Sequence, residues 1–219
     1  MASHPCFRAL AGAALTAAVA LVALVAPSQG SAALARTSGA PTVSVITSGL
    51  QVPWDIAFLP DGRALVTERT GAVRIVAANG ALSPTPAATL NVSQNGEGGL
   101  LGIALDPEYS VSKPFVYLTA TIGSEMQVQR WRFAGSSMTL DGVVIRGITM
   151  GTIHSSGRVR FGPDGAMYVG AGDAGDGNRS QSTGILNGKI LRVAPGGFRG
   201  GSVTPQIYAL GVRNPQGFA

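Results

Sequence analysis

Charge, histidine and cysteine are all scarce in this sequence. Charged residues make up 12% of its 219 residues, and it holds 2 histidines and 1 cysteine. So little charge, with no long helical periodicity beyond the N-terminus, fits short strands joined by turns better than a helix bundle or a disordered chain. The basic residues are scattered singly. With no basic run and no RNA-binding aromatic pattern, the net charge of +5 does not point to nucleic acid. Acid is missing altogether before Asp55. In that stretch Arg8 precedes an apolar run over residues 9–25, and small residues follow up to Ala35. This is the layout of a secretory signal peptide over residues 1–35, with Ala33-Leu34-Ala35 at the cleavage site. An uncleaved anchor competes with it, because the run approaches bilayer-spanning length. The small-residue tail favours cleavage, which leaves no stable membrane span. The lone cysteine, Cys6, precedes the run, whereas a lipoprotein cysteine would follow it. The exported chain, periplasmic or secreted by a bacterium, then has no cysteine for a disulfide and depends on a buried core.

Glycine, by contrast, is abundant at 31 residues. After a polar lead-in over residues 36–48 the chain repeats itself. The first unit opens at Trp54-Asp-Ile-Ala-Phe58, the second at Leu101-Gly-Ile-Ala-Leu105 and the third at Val159-Arg-Phe161. Each is an apolar strand, a turn, a β-rich strand, a loop and an alternating strand. Pro-Asp-Gly recurs at 60–62 and 163–165. In such a turn proline fixes φ, aspartate bonds its own backbone and glycine accepts positive φ. Turns at Pro60, Pro107 and Pro163 lie 47 and 56 residues apart, and periods of about 40–50 residues mark a β-propeller. A β-sandwich with accidentally similar hairpins is the competing reading. Trp54-Asp55 opens a strand, so it is not the mark of a WD40 blade. A fourth unit is expected to begin at Gln206-Ile-Tyr-Ala-Leu210. The predicted fold is all-β: an incomplete propeller of about three blades plus the start of a fourth.

The chemistry-bearing residues collect around His154. It stands at the mouth of the third unit's first strand, and Asp173 follows at the end of the next strand. Histidine suits removal of a hydroxyl proton near neutral pH. A carboxylate on its other ring nitrogen would fix the tautomer and stabilise the imidazolium. The bland alternatives are a structural histidine and an aspartate that caps a turn. Gly170-Ala-Gly-Asp-Ala-Gly175 formally fits a dinucleotide fingerprint, but a polar loop follows in place of the required helix. Asp173 and Asp176 lack the remaining EF-hand ligands, so no metal-ligand set is assigned.

Four segments together resemble the soluble quinoprotein glucose/sorbosone dehydrogenase family. They are Gly96-Glu-Gly-Gly-Leu-Leu-Gly-Ile-Ala-Leu-Asp-Pro107, His154-Ser-Ser-Gly-Arg158 with its Pro-Asp-Gly hairpin, Gly172-Asp-Ala-Gly175, and Gly211-Val-Arg-Asn-Pro-Gln-Gly217. The resemblance runs from residue 49 to 219 and implies a six-bladed-type propeller. It implies a sugar or alcohol substrate, pyrroloquinoline quinone and calcium as cofactors, and a separate electron acceptor. By the same resemblance His154 matches the base and Asp173 the carboxylate beside it. Arg213 and Asn214 match residues that contact the quinone oxygens. An arginine there would stabilise charge as it develops on the quinone, while the hydride chemistry belongs to the cofactor. Two positions depart from the family pattern. Glu97 replaces a glutamine at the quinone-proximal position, and Ile153 replaces an acidic residue before the histidine. The calcium ligands and further basic residues of the family fall in later blades. The expectation is therefore a truncated, inactive and poorly soluble or oligomeric form of an exported sugar dehydrogenase. The alternatives are a non-catalytic extracellular propeller that binds a glycan or protein, and a calcium-dependent lactonase propeller.

Overall fold

Hairpin chemistry organises the chain. In the first Pro-Asp-Gly turn, Leu59 N–H donates to the Arg63 carbonyl at 2.8 Å and Gly62 N–H to the Leu59 carbonyl at 3.0 Å. Gly62 sits at φ 87°, where glycine carries no Cβ penalty. The second turn repeats the pattern, with Gly162 N–H to the Ala166 carbonyl at 3.0 Å and Gly165 at φ 71°. The aspartates, Asp61 and Asp164, each accept a hydrogen bond at 3.1 Å from the backbone two residues on.

The computed structural model describes residues 42–218, and the fold lies in the unit Ser44–Ala219. The expected signal peptide at 1–35 and the first part of the lead-in lie outside the described residues. Three four-stranded antiparallel sheets follow one another. The first holds β1 (Pro53–Phe58), β2 (Ala64–Glu68), β3 (Ala72–Val76) and β4 (Ala88–Thr89). The second holds β5 (Leu100–Leu105), β6 (Phe115–Ile122), β7 (Glu125–Ala134) and β8 (Ser137–Thr149). The third holds β9 (Ser156–Phe161), β10 (Met167–Ala171), β11 (Lys189–Val193) and β12 (Gln206–Leu210). A short helix, α1 (Gly177–Gln181), lies in the β10–β11 loop. Strand order within each sheet is sequential, as in propeller blades. One reading of the sequence needs correction. Gln206–Leu210 opens no fourth blade. It pairs with β11, Ile190 opposite Ala209, and is the outer strand of the third.

The inner strands β1, β5 and β9 lie side by side, and apolar cores fill the gaps between blades. Leu65, Val73, Leu100, Ile103 and Leu118 pack between the first two. Tyr117, Met126, Ile145, Met167, Leu191 and Phe198 pack between the second and third. Each fully buried aliphatic side chain contributes about 1.5–3 kcal/mol relative to exposure. A polar contact recurs at each step. Thr67 Oγ1 donates to the Leu101 carbonyl at 2.6 Å, Thr119 Oγ1 to Gly157 at 2.5 Å and Ser156 Oγ to Pro215 at 2.6 Å. Each hydroxyl caps the backbone that enters, or in the third case follows, the next step of the ring. The loops before β5 and β9, the β10–β11 loop and the segment after β12 thereby gather at one end. Leu100 N–H to Arg69 O, Glu97 N–H to Thr152 O and Asp173 N–H to Arg213 O tie them together.

Candidate active site

Four non-glycine residues of the described chain have positive φ: Val52 at 49°, His154 at 59°, Ser156 at 57° and Ala174 at 57°. His154, Ser156 and Ala174 stand in the gathered loops or at their borders, and Val52 just before β1. Such conformations cost of order 1–3 kcal/mol each and cluster where geometry serves function. Close backbone packing enforces the one at His154. A Cβ on Gly172 would come within 1.8 Å of the His154 carbonyl oxygen, so only glycine lets β10 run out beneath the histidine.

His154 is 8% exposed and Asp173 3%. Their Nδ1 and Oδ1 atoms lie 2.6 Å apart. Asp173 Oδ1 also accepts from Gly175 N–H at 2.8 Å. Burial pushes the Asp173 carboxyl up. The hydrogen bonds from His154 and Gly175, with the charges of His154 and Arg213, outweigh it and hold the group below its ordinary value. An ionised carboxylate only accepts hydrogen bonds, so Nδ1 carries a proton, and the neutral ring in this tautomer has its lone pair on Nε2.

Glu97, in the loop before β5, accepts from Ser155 N–H at 3.0 Å and from Asn214 Nδ2 at 3.4 Å through the same oxygen, Oε2. The carboxylate that departs from the family pattern is therefore met by two donors. Arg213 lends its carbonyl to Asp173 N–H at 2.9 Å. Its side chain is exposed and makes no hydrogen bond or ion pair among the described residues. All five residues expected to form the site thus fall in one cluster. Ile153, beside the histidine, is 46% exposed. Arg158, in contrast, is structural. It donates to the Gln216 carbonyl at 2.8 Å, pairs with Asp55 at 2.5 Å and lies over the Trp54 ring at 4.4 Å.

A cleft of about 200 Å³ opens on the Glu97 side of the site, lined by Val52, Trp54, Arg69, Glu97, Ser155, Ser156 and Gln216 but by neither member of the pair. Ser155 Oγ and Arg69 Nε, both at this cleft, are buried without a partner among the described residues. Larger grooves of about 610 and 740 Å³ lie on the outward face of β1 and beside the turns at the other end. Neither is lined by His154, Asp173, Glu97, Arg213 or Asn214, so volume does not locate the chemistry here. Sequence reasoning passed over Arg69, Ser155, Asn187 and Lys189. For Lys189 a signal existed: strand alternation puts it on the face of Leu191 and Val193, both buried.

Comparison with known proteins agrees with this architecture. The model of the Glucose / Sorbosone dehydrogenase family matches residues 50–219. The chain belongs to the glucose/sorbosone dehydrogenase family. Within the glucose/sorbosone dehydrogenases, the crystal structure of a Thermus thermophilus oxidoreductase described as a glucose dehydrogenase has a TM-score of 0.71 and 42% identity, over 78% of this chain and 55% of that one. The PQQ-bound form of an aldose sugar dehydrogenase from Streptomyces coelicolor has a TM-score of 0.65 and 39% identity, over 72% of this chain and 48% of that one. Quinoprotein glucose dehydrogenase B of Acinetobacter calcoaceticus is 30% identical, over 80% of this chain and 45% of its own length. The chain spans about half the length of the curated relatives it matches. Among the described residues no group of three or more His, Cys, Asp or Glu could hold a metal ion, and no helix is long and apolar enough to cross a membrane.

Proposed function

We propose that this protein is an exported sugar dehydrogenase of the quinone-dependent kind, with His154 as the base that takes the substrate's hydroxyl proton. One observation carries the reading: a buried histidine, in a strained conformation, held at 2.6 Å by a carboxylate. Asp173 fixes the Nδ1 proton and turns the Nε2 lone pair outward. When Nε2 takes the proton, Asp173 stabilises the imidazolium across the same hydrogen bond. Arg213 and Asn214 would hold the quinone. An exposed guanidinium without a partner among the described residues suits an acidic, oxygen-rich ring system, and the amide of Asn214 adds a donor. Bound there, pyrroloquinoline quinone would supply the hydride acceptor. No group of three or more His, Cys, Asp or Glu among the described residues would hold calcium, and no step here depends on it. Export by residues 1–35 and transfer of electrons to an external acceptor belong to the same proposal.

The test is dye-linked oxidation of an aldose panel by the chain extended past Ala219 to the length of its relatives, after addition of the quinone and calcium, with quinone binding followed in parallel by fluorescence. His154→Ala should lower turnover by about 10²–10⁴-fold, the usual worth of a general base. Full activity in that variant would sink the assignment. A second reading, a non-catalytic propeller that binds a glycan, is favoured by Glu97 and by the exposed Ile153. It is supported if the protein binds sugar saturably and oxidises none.

A further inference from the structure

Lys189, the first residue of β11, is 0% exposed. Its ammonium meets no carboxylate among the described residues. It donates instead to three backbone carbonyls, those of Asn187 at 2.7 Å, Arg179 at 2.9 Å and Ser180 at 3.0 Å. All three of its donors are used, which is what a buried ammonium requires. Two of the carbonyls belong to the last turn of α1, where a helix has no N–H donors of its own to offer them; besides Lys189, Arg179 O accepts from Ser182 N–H at 3.2 Å and Ser180 O from Gly211 N–H at 3.0 Å. α1 also sits directly on the strand. A Cβ on Gly188 would come within 2.5 Å of the Ser180 Cα.

From this cage the contacts run to the site. Asn187, 2% exposed, donates through Nδ2 to the carbonyls of Gly172 at 2.9 Å and Thr149 at 2.7 Å. Gly188 N–H donates to the same Gly172 carbonyl at 3.0 Å. Gly172 is the residue that packs on His154 and precedes Asp173. The geometry points to Lys189 as a positioning residue. Its ammonium ties α1 to Asn187, closes the β10–β11 loop, and so holds the Asp173 carboxylate against His154. This rests on reading His154 and Asp173 as the working pair. A lysine that merely stabilised α1 would leave the His154–Asp173 bond unchanged when replaced.

The proton on His154 Nδ1 reports that bond directly. In a short bond to a carboxylate it gives a far-downfield NMR resonance that exchanges slowly with water. The chain has only 2 histidines, so a His4→Gln variant settles the assignment and Asp173→Asn shows the signal's loss. Lys189→Gln removes the charge and shortens the reach. The expected result is loss of the resonance, or about tenfold faster exchange, equal to ~1.4 kcal/mol easier opening, with the circular dichroism unchanged. A folded Lys189→Gln protein with the resonance and its exchange intact overturns the inference. If that variant fails to fold, Asn187→Ser leaves the ammonium in place and removes the side-chain link to Gly172, leaving only the Gly188 N–H on that carbonyl. Loss of the resonance there supports the path from Lys189 to Asp173, and its persistence breaks it. The signal needs neither quinone nor turnover. A protein that oxidises no sugar therefore fails the proposed function without touching this result.

Discussion

Burial alone would raise the Asp173 carboxyl, yet His154, the Gly175 N–H and the Arg213 charge together hold it below its ordinary value. The depressed value lies under that of the unfolded chain. The stability this carboxylate contributes is therefore complete above the ordinary carboxylate range, and it fades as pH falls through the depressed value. Two outcomes follow for the single residue. The Nδ1–H resonance of His154 should persist on acidification to below the ordinary carboxylate range and then vanish as Asp173 protonates. Loss already near neutral pH would contradict the ionised carboxylate. Asp173→Asn presents an amide that no longer fixes the tautomer, and dye-linked turnover should drop by about 10²-fold or more with little change in melting temperature. A large fall in melting temperature at unchanged turnover would mark Asp173 as a turn cap, the bland role open to it in the sequence. The pair was legible because histidine is so rare here and because the two residues flank strands with clear patterns, His154 just before β9 and Asp173 just after β10. Asp55 and Arg160 were not. Their partners stand 48 and 105 positions away, and only the side-by-side packing of the inner strands brings them together.

At the scale of elements, hairpins and inner strands were readable because their signals are local: Pro-Asp-Gly turns and apolar runs. The outer strands were not. β8 follows the buried edge of β7 through three register irregularities, with Asp141 and Gly142 within it and a mixed burial pattern, so alternation is lost. β12 alternates like an opening strand, yet pairs as the last of its blade. Adjacent elements are also clamped at the end away from the site. Asp106, 3% exposed, accepts from Arg199 Nη2 at 2.7 Å and from the Tyr117 hydroxyl at 3.0 Å. The Tyr117, Phe161 and Phe198 rings pack edge to face beneath, with centroids 4.9–5.5 Å apart. Burial raises the Asp106 carboxyl, but Arg199, the Glu108 N–H and Tyr117 overcome it and lower it overall. Burial first, and then the charge and hydrogen bond of Asp106, push the Tyr117 hydroxyl far up against the opposing charges of Arg130 and Arg199. Breaking a buried pair costs about 3–5 kcal/mol. Arg199 keeps 33% of its side chain exposed, which reduces the expected loss for Asp106→Ala to ~2 kcal/mol. Urea unfolding measures it. The solvent-facing partner supplies the control: Glu108→Gln should leave the midpoint unchanged, and an equal loss there would move the clamp from the buried carboxylate to the surface.

For the molecule as a whole, blades share little backbone pairing, so cooperativity depends on what crosses between them. Asp55 is the densest crossing. From β1 it accepts Ile103 N–H of β5 at 3.0 Å, and both terminal nitrogens of Arg160 on β9 at 2.9 Å. Arg158 of β9 joins at 2.5 Å. One carboxylate thus touches the inner strand of every described blade, and Arg160 Nη1 also reaches the Ile103 carbonyl at 3.2 Å. Removing it leaves two guanidiniums facing each other, but Arg160 keeps 36% of its side chain exposed, so the about 3–5 kcal/mol of an uncompensated buried charge falls to ~2 kcal/mol. The distribution of that loss is the sharper consequence. The chain has 2 tryptophans, Trp54 on β1 and Trp131 on β7, so single-tryptophan variants report the first and second blades separately. With Asp55 present, both reporters and the circular dichroism should unfold together, as one cooperative unit does. In Asp55→Ala the Trp54 transition should move to lower urea ahead of Trp131, because β1 loses its own polar tie to the second blade and the first blade keeps only single bonds such as Thr67 to Leu101 and Leu100 to Arg69, with its apolar contacts. If both reporters shift equally and stay coincident, the apolar packing between blades carries cooperativity by itself and Asp55 contributes only to total stability.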